Sequence, residues 1–199
     1  MMDEGTFRGF VAVGIDPAVR AFLGSCVKEA AKEFPGYRFG AVENLHVTLQ
    51  FLGEVDKSRI PGLTGLLSAA VAGLPAFRAS LGAAGSFPER GTPRVLHVAV
   101  DQGRDDLRRV ADRARSALSR AGFAPDKPFT AHITLGRQRT GSRGAGGDLS
   151  ARWRDLFEGL RSKTPAAGWK VAEILLMESI LGPAGPTYIP RGRAPLAGA

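Results

Sequence analysis

The feature that most constrains this chain is an internal repeat. ENLHVTLQFLGEV at 43–55 returns in altered form as FTAHITLGRQR at 129–139, and the passages ahead of the two motifs match as well. VAV at 11–13 lies 87 residues before VAV at 98–100, and His46 lies 86 residues before His132. A unit of strand, helix and motif strand therefore occurs twice at nearly constant spacing. That period exceeds those of solenoid repeats, so it points to two similar lobes related by approximate two-fold symmetry. The two motif strands would then face each other. With 199 residues in all, the lobes are expected to share one core, since domains commonly run to roughly 100–200 residues. The expected boundaries are a single bilobal domain over 1–190 and a C-terminal tail over 191–199.

Local signals fill in the unit. RGFVAVG at 8–14 is β-branched and aromatic and reads as a buried strand. Asp16 offers an N-cap and Pro17 a first helical position; Val19, Phe22, Leu23, Cys26, Val27 and Ala30 then recur at helical spacing until Phe34-Pro35-Gly36. Residues 45–52 read as a strand closed by Gly53, and a helix is expected over about 58–72, weakened by Pro61, Gly62 and Gly65. LGAAGSFPERGTP at 81–93 reads as a strand end and an irregular loop. The second unit comprises a strand at 95–100, a helix opened by Asp105 and Asp106 and ended by Gly122, and the motif strand at 129–137. RQRTGSRGAGGDLSARW at 137–153 reads as a mobile loop, with a phosphate cradle as the functional alternative, although it matches neither GxGxxG nor a Walker loop. Residues 169–181 form a long apolar strand, followed by a short one near Tyr188.

Both motifs read His-x-Thr-Leu: His46, Val47, Thr48, Leu49 and His132, Ile133, Thr134, Leu135. Side chains alternate along a strand, so each His shares a face with its Thr while the aliphatic residues turn to the core. If the lobes face one another, two imidazoles and two hydroxyls line one groove. That set suits a phosphodiester. In-line displacement at phosphorus needs a base on the entering oxygen and an acid on the departing one. Two histidines of ordinary pKa near ~6.5 can divide those tasks at neutral pH, and hydroxyls can hold the non-bridging oxygens. The scheme requires no cofactor, and no HExxH, cysteine pair or His–carboxylate cluster speaks for a metal. His97, the third histidine, aligns with Phe10 of the first unit and reads as a satisfied structural residue.

Charge and cysteine content bound the setting. Lys and Arg outnumber Asp and Glu 27 to 19, which favours an anionic partner such as nucleic acid or a phosphorylated small molecule. One cysteine, Cys26, excludes an intrachain disulfide and fits a reducing compartment. Neither a signal peptide nor a membrane span is legible, so the expectation is a cytoplasmic protein with no membrane association and no obligate protein partner.

Two HxT-hydrophobic motifs nearly ninety residues apart resemble the two-histidine (2H) phosphoesterase superfamily. More closely, the chain resembles the RNA 2′,3′-cyclic phosphodiesterases, also called LigT-like or 2′-5′ RNA ligase proteins. RGFVAV, ENLHVTLQFLGEV, GSFPERGTPRVLHVAV, FTAHITLGR and MESILGPAGPTY carry the likeness over nearly the whole chain. The resemblance implies an α+β bilobal fold, with antiparallel sheets and outer helices around a central cleft. It implies that His46 is the proton donor and His132 the proton acceptor that activates water. It further implies that Thr48, Thr134 and Arg137 hold phosphate. Strict alternation would place Arg137 on the face opposite His132 and Thr134. The family usually carries proline where this chain has Ala131 and often a basic residue where it has Gln50, departures that bear on substrate preference.

The expected activity is metal-independent opening of 2′,3′-cyclic phosphates on RNA ends, or on small cyclic nucleotides, to 2′-phosphomonoesters. Rival readings are action on other cyclic or 2′-5′-linked nucleotides, the reverse reaction as an RNA 2′-5′ ligase, and a non-enzymatic RNA-end binding module.

Overall fold

A computed structural model of the chain describes residues 5–141, 148–163, 168–183 and 185–198. The elements follow in order: β1 (Thr6–Gly14), α1 (Pro17–Glu33), β2 (Tyr37–Phe39), β3 (His46–Asp56), α2 (Ile60–Val71), β4 (Phe77–Ala79), β5 (Leu81–Phe87) and β6 (Val95–Val100). Then come α3 (Arg104–Arg120), β7 (His132–Gln138), α4 (Leu149–Lys163), β8 (Trp169–Val171), β9 (Glu173–Gly182) and β10 (Gly185–Pro195). Among the described residues, eight strands make an antiparallel sheet ordered β10-β9-β1-β3-β7-β6-β5, with β2 also on β7; β4 and β8 pair separately. The α+β architecture with antiparallel sheets is the expected one.

The duplication is visible as β1-α1-β3 and β6-α3-β7. Asp16 caps α1 by accepting the Val19 N–H at 3.0 Å, Pro17 starts it, and Val19, Phe22, Leu23, Cys26 and Ala30 are buried. Helix α3 carries Asp105 and Asp106 in its first turn and buries Leu107, Val110, Ala111, Ala114, Ala117 and Leu118. Its N-cap, Gly103, has φ 78°, and a Cβ there would come within 2.6 Å of the Arg78 carbonyl oxygen. No larger residue fits that turn.

The helices cross over. α1 packs against β2 and β7, in the second half-sheet, while α3 packs against β3, in the first. α4 joins α1 and covers β5; α2 joins α3 and covers β9 and β10. Each unit thus places its helix under the other unit's strands. Most of the buried apolar side chains form one continuous cluster that includes Val47, Leu49, Ile133 and Leu135. The half-sheets themselves meet at a single bridge, Val47 opposite Ile133, and diverge beyond it.

Several local expectations are corrected. The stretch at 81–87 is a full strand because His97 and its neighbours on β6 pair with it, Gly85 opposite His97. The apolar run at 169–181 is broken at Ala172, β8 serving the small sheet and β9 the large one. The expected tail from Arg191 is instead part of the fold. β10 runs to Pro195 and, past a register shift at Arg191, goes on pairing with β9, while Ala194 and Leu196 are buried. Ala197 accepts the Ala76 N–H and donates to Leu74 O. Of the expected 137–153 loop, residues 142–147, which the phosphate-cradle reading needed, lie outside the described residues. Trp153, at its end, is a buried residue of α4.

Candidate active site

The single bridge between β3 and β7 sets the site. Val47 and Ile133 pair antiparallel, and continuing that register by one residue puts His46 across from Thr134 and Thr48 across from His132. Four polar side chains therefore stand at the corners of a quadrilateral, imidazoles on one diagonal and hydroxyls on the other. All four line one cleft of about 270 Å³. Val47, Leu49, Ile133 and Leu135 are buried on the opposite face, as alternation predicts.

Alternation then fails at the same place in both units. β1 pairs Val11 with Gln50 and Ala12 with Thr48, skipping Leu49. β6 pairs Leu96 with Gly136 and His97 with Thr134, skipping Leu135. Each motif leucine sits in a β-bulge, which adds one residue to its strand and reverses the facing of the residues beyond it. Burial repeats accordingly: from His46 to Phe51 and from His132 to Arg137 the sequence of half-buried, buried and exposed positions is identical. The bulge turns Arg137 into the cleft, where strict alternation had put it outside. It also turns in Phe51, the counterpart of Arg137 in the first unit. Gln50 goes the other way: it is buried and donates to Phe123 O at 2.7 Å, tying β3 to the chain after α3. Ala131 is buried, with its carbonyl accepting the Val100 N–H.

The two imidazoles are held alike. His46 Nδ1 lies 2.6 Å from Asn44 O, and His132 Nδ1 lies 2.8 Å from Thr130 O, each carbonyl two residues before its ring. A carbonyl only accepts, so Nδ1 carries a proton in both, and Nε2 is left for proton exchange. His46 Nε2 lies 2.9 Å from Thr48 Oγ1. Burial holds both imidazoles below their ordinary pKa, and the Arg137 charge adds to this at both. The Asn44 and Thr130 carbonyls oppose it; His132 acts further on His46, and Lys127 on His132. Both rings therefore tend toward neutrality, which suits a base and sharpens an acid.

Aromatic rings fix each imidazole from two sides. His46 is flanked by Phe10 at 5.0 Å and by Tyr188 at 5.2 Å, the latter edge on. His132 is flanked by His97 at 5.3 Å and by Phe87 at 5.1 Å, both edge on. His97 itself stacks on Phe87 at 4.1 Å. The expected match with Phe10 is corrected by the register: His97 stands across from Thr134 as Ala12 stands across from Thr48, although like Phe10 it backs the motif imidazole. Nor is it fully satisfied, since its Nδ1 is buried with no hydrogen-bond partner among the described residues. Burial first, then the His132 charge, lowers its pKa to about 4.

The cleft contains groups that sequence reasoning had not singled out. Arg38, Phe39, Asn44, Phe51, Pro186 and Tyr188 line it beside the predicted residues. Asn44 Nδ2 donates to Pro186 O at 2.5 Å, pinning the β9–β10 hairpin against the first motif. A signal for Tyr188 did exist in MESILGPAGPTY, but nothing local says that this hairpin reaches His46. Among the described residues, no group of three or more His, Cys, Asp or Glu side chains is placed to hold a metal ion. No helix there is long and apolar enough to cross a membrane.

Comparison with known proteins places the chain in a family. The model of the 2′-5′ RNA ligase superfamily matches residues 16–182. The chain is 32% identical over 181 residues to a protein of Archaeoglobus fulgidus named RNA 2′,3′-cyclic phosphodiesterase, covering 91% of this chain and 96% of that one. A Thermotoga maritima protein of the same name is 29% identical over 181 residues, 91% of each chain. Among solved structures, TT0787 of Thermus thermophilus superposes with a TM-score of 0.74 at 29% identity, covering 96% of this chain and 98% of that one. E. coli LigT complexed with 3′-AMP gives 0.71 at 27% identity, over 96% and 99%. With the family match running from the first helix to the end of β9, the chain belongs to the 2′-5′ RNA ligase superfamily.

Proposed function

We propose that this protein hydrolyses the 2′,3′-cyclic phosphate at RNA ends to a 2′-phosphomonoester by two-histidine acid–base catalysis. The observation that supports the reading is the diagonal pair of imidazoles, each with Nδ1 engaged by a backbone carbonyl so that Nε2 is left to exchange a proton, at His46 beside Thr48 Oγ1 at 2.9 Å. Water attacks phosphorus as His132 Nε2 takes its proton; the P–O3′ bond breaks on the far side as His46 Nε2 gives its proton to the departing O3′. Two groups on opposite corners match the in-line geometry that such a displacement needs. Thr48, Thr134 and Arg137 hold the non-bridging oxygens and their developing charge. The proton gained by His132 and lost by His46 returns through solvent. The names carried by the relatives support the substrate class, and the chain's net charge of +8 favours RNA ends. A reducing, cytoplasmic setting suits the one thiol, Cys26, buried in the core with its pKa pushed up to about 12.

The test is to incubate the protein with an RNA ending in a 2′,3′-cyclic phosphate and compare products with 2′- and 3′-phosphate standards. A 2′-phosphate product is expected. A 3′-phosphate product would reverse the allocation of acid and base, and binding without turnover would reduce the protein to an RNA-end binding module. Rates should be unchanged after exhaustive chelation; activity abolished by chelator and restored by one divalent ion would overturn the mechanism.

A further inference from the structure

Two strands share one side of β7. Val47 of β3 meets it at Ile133, and further along β2 takes over, with Tyr37 opposite Gln138, Arg38 opposite Arg137 and Phe39 opposite Gly136. Directly opposed residues of an antiparallel pair share a face, their Cα atoms about 5 Å apart. Arg38 therefore points the way Arg137 does, and both line the main cavity. The repeat holds no second such pair, since Ala124 stands 86 residues on from Arg38.

Two guanidiniums make an unfavourable cross-strand pair. Like charges directly opposed are destabilising, and among the described residues neither Arg38 nor Arg137 has a carboxylate or a side-chain hydrogen bond to offset the repulsion. Both are exposed to the cleft. The Arg137 charge is felt at both imidazoles, which ties it to the reacting centre. Arg38 stands one strand further out, and its Nη2 lies against the start of β10. A Cβ on Gly185 would come within 3.0 Å of that nitrogen, and this position, at φ 125°, carries none. The second guanidinium thus has room and a defined place, but no anion of the protein's own.

We infer that Arg38 forms a subsite for a second phosphate, the one on O5′ of the nucleoside whose cyclic phosphate lies between the two histidines. The inference rests on the proposed activity and extends it along the substrate. A phosphate oxygen satisfies the unpaired guanidinium through a charge-assisted hydrogen bond, and its negative charge relieves the repulsion between the two arginines. Both phosphates hang on one ribose, so their sites need be no further apart than neighbouring strands put them. An O5′ phosphate is a diester in an RNA strand and a monoester in a free nucleotide. The subsite meets the same non-bridging oxygens in either, and it reads no base.

Three substrates that share one base and one cyclic phosphate test it: adenosine 2′,3′-cyclic phosphate, its 5′-phosphate, and its 5′-(methyl phosphate), which mimics the chain diester. At low salt the wild type should favour the phosphorylated substrates over the parent about tenfold in kcat/KM, the gain of one charged hydrogen bond. Arg38→Gln should bring that ratio to about one, and Arg38→Lys, which keeps the charge without the fork, should retain part of it. The ratio is read because Arg38 borders the catalytic groups and its loss alters every rate. A gain on the diester identifies an RNA strand as the occupant, and a gain on the monoester alone a free nucleotide. No gain in the wild type, or a gain that survives Arg38→Gln, overturns the inference. Calorimetry judges it without turnover: adenosine 2′,5′-bisphosphate should bind the wild type about tenfold more tightly than adenosine 2′-phosphate, and Arg38→Gln should bind the two alike. That preference in a protein that hydrolyses none of the three substrates would remove the proposed activity and leave the subsite standing, whereas equal binding in the wild type would overturn the subsite.

Discussion

The two halves of the cleft agree in backbone and differ in side chains. On each side a histidine follows a carbonyl that fixes its Nδ1, a threonine stands two residues on, and a bulged leucine reverses the strand. Past the bulge the halves part: Phe51 occupies the position that Arg137 has across the axis. Behind the imidazoles, Phe10 and Tyr188 enclose His46 where His97 and Phe87 enclose His132. The shared part supplies a symmetric pair of imidazoles, which as the proposed acid and base would by itself serve either direction across phosphorus. The unshared part makes the cleft polar, so that a substrate with different ends has one preferred way round.

The comparison breaks most sharply at its shared centre. Replacing either His46 or His132 with Ala should cost on the order of 10²–10⁴ in kcat/KM, and replacing both should cost far less than the product of the single losses. Steady-state kinetics on a cyclic-phosphate RNA measures this; fully multiplicative losses would mean that the two rings do not act on one transition state.

Arg137→Gln tests the first unshared position, with an expected loss of about 10²-fold. It also moves the pH profile in a defined direction. The Arg137 charge lowers the pKa of both imidazoles, so its removal raises both. Burial and Arg137 lower the pKa of both imidazoles, so both limbs of the wild-type kcat/KM profile should lie below the ordinary imidazole value of 6.5. The variant's whole bell should shift to higher pH. A profile that shifts down or stays in place would show that Arg137 does not face the pair.

The smallest effect on rate is expected behind His132. Phe10 already backs His46 with an apolar ring, so His97→Phe should leave activity within a few fold. Its effect on stability is a separate matter. His97 has its folded pKa lowered from 6.5 to about 4, so within that window the unfolded chain holds a proton that the folded chain lacks. The wild type should lose stability as pH falls from 6.5 toward 4, by an amount on the order of 3 kcal/mol from this group. Urea unfolding at about pH 7 and about pH 4.5, values chosen to bracket most of that titration, measures it: His97→Phe should lose less over the interval. Equal losses in both proteins would mean that His97 gains a partner for its proton on acidification.

Much of the site was legible because its chemistry is local. His46, Thr48, His132 and Thr134 declare themselves by being repeated in similar short strands, and a two-residue alternation is enough to put each pair on one face. The starts of α1 and α3 were legible for the same reason, Asp16-Pro17 standing at the cap of the one and Asp105-Asp106 in the first turn of the other. The C-terminal residues were misread for the converse reason. RGRAPLAGA has too few apolar residues to look like a strand, yet the backbone of residues 192–197 bonds to β9, to Ala172 and to the segment around Leu74 and Ala76.

The duplication, the paired imidazoles and the hydroxyls beside them can all be read from the linear chain, because each follows from residue type and short-range periodicity. Which further side chains reach the cleft depends instead on how the strands come together. A bulge is set by how a strand registers against its neighbour, and the skipped Leu49 and Leu135 become visible only when β1 and β6 are laid beside them. That one-residue slip turned Arg137 and Phe51 into the cleft and sent Gln50 into the interior. In the same way, Tyr188 meets His46 only because the β9–β10 hairpin is pinned there through Asn44, 142 residues from its acceptor at Pro186. Contacts at such separation depend on the order of strands in the sheet, which no local pattern of residues contains.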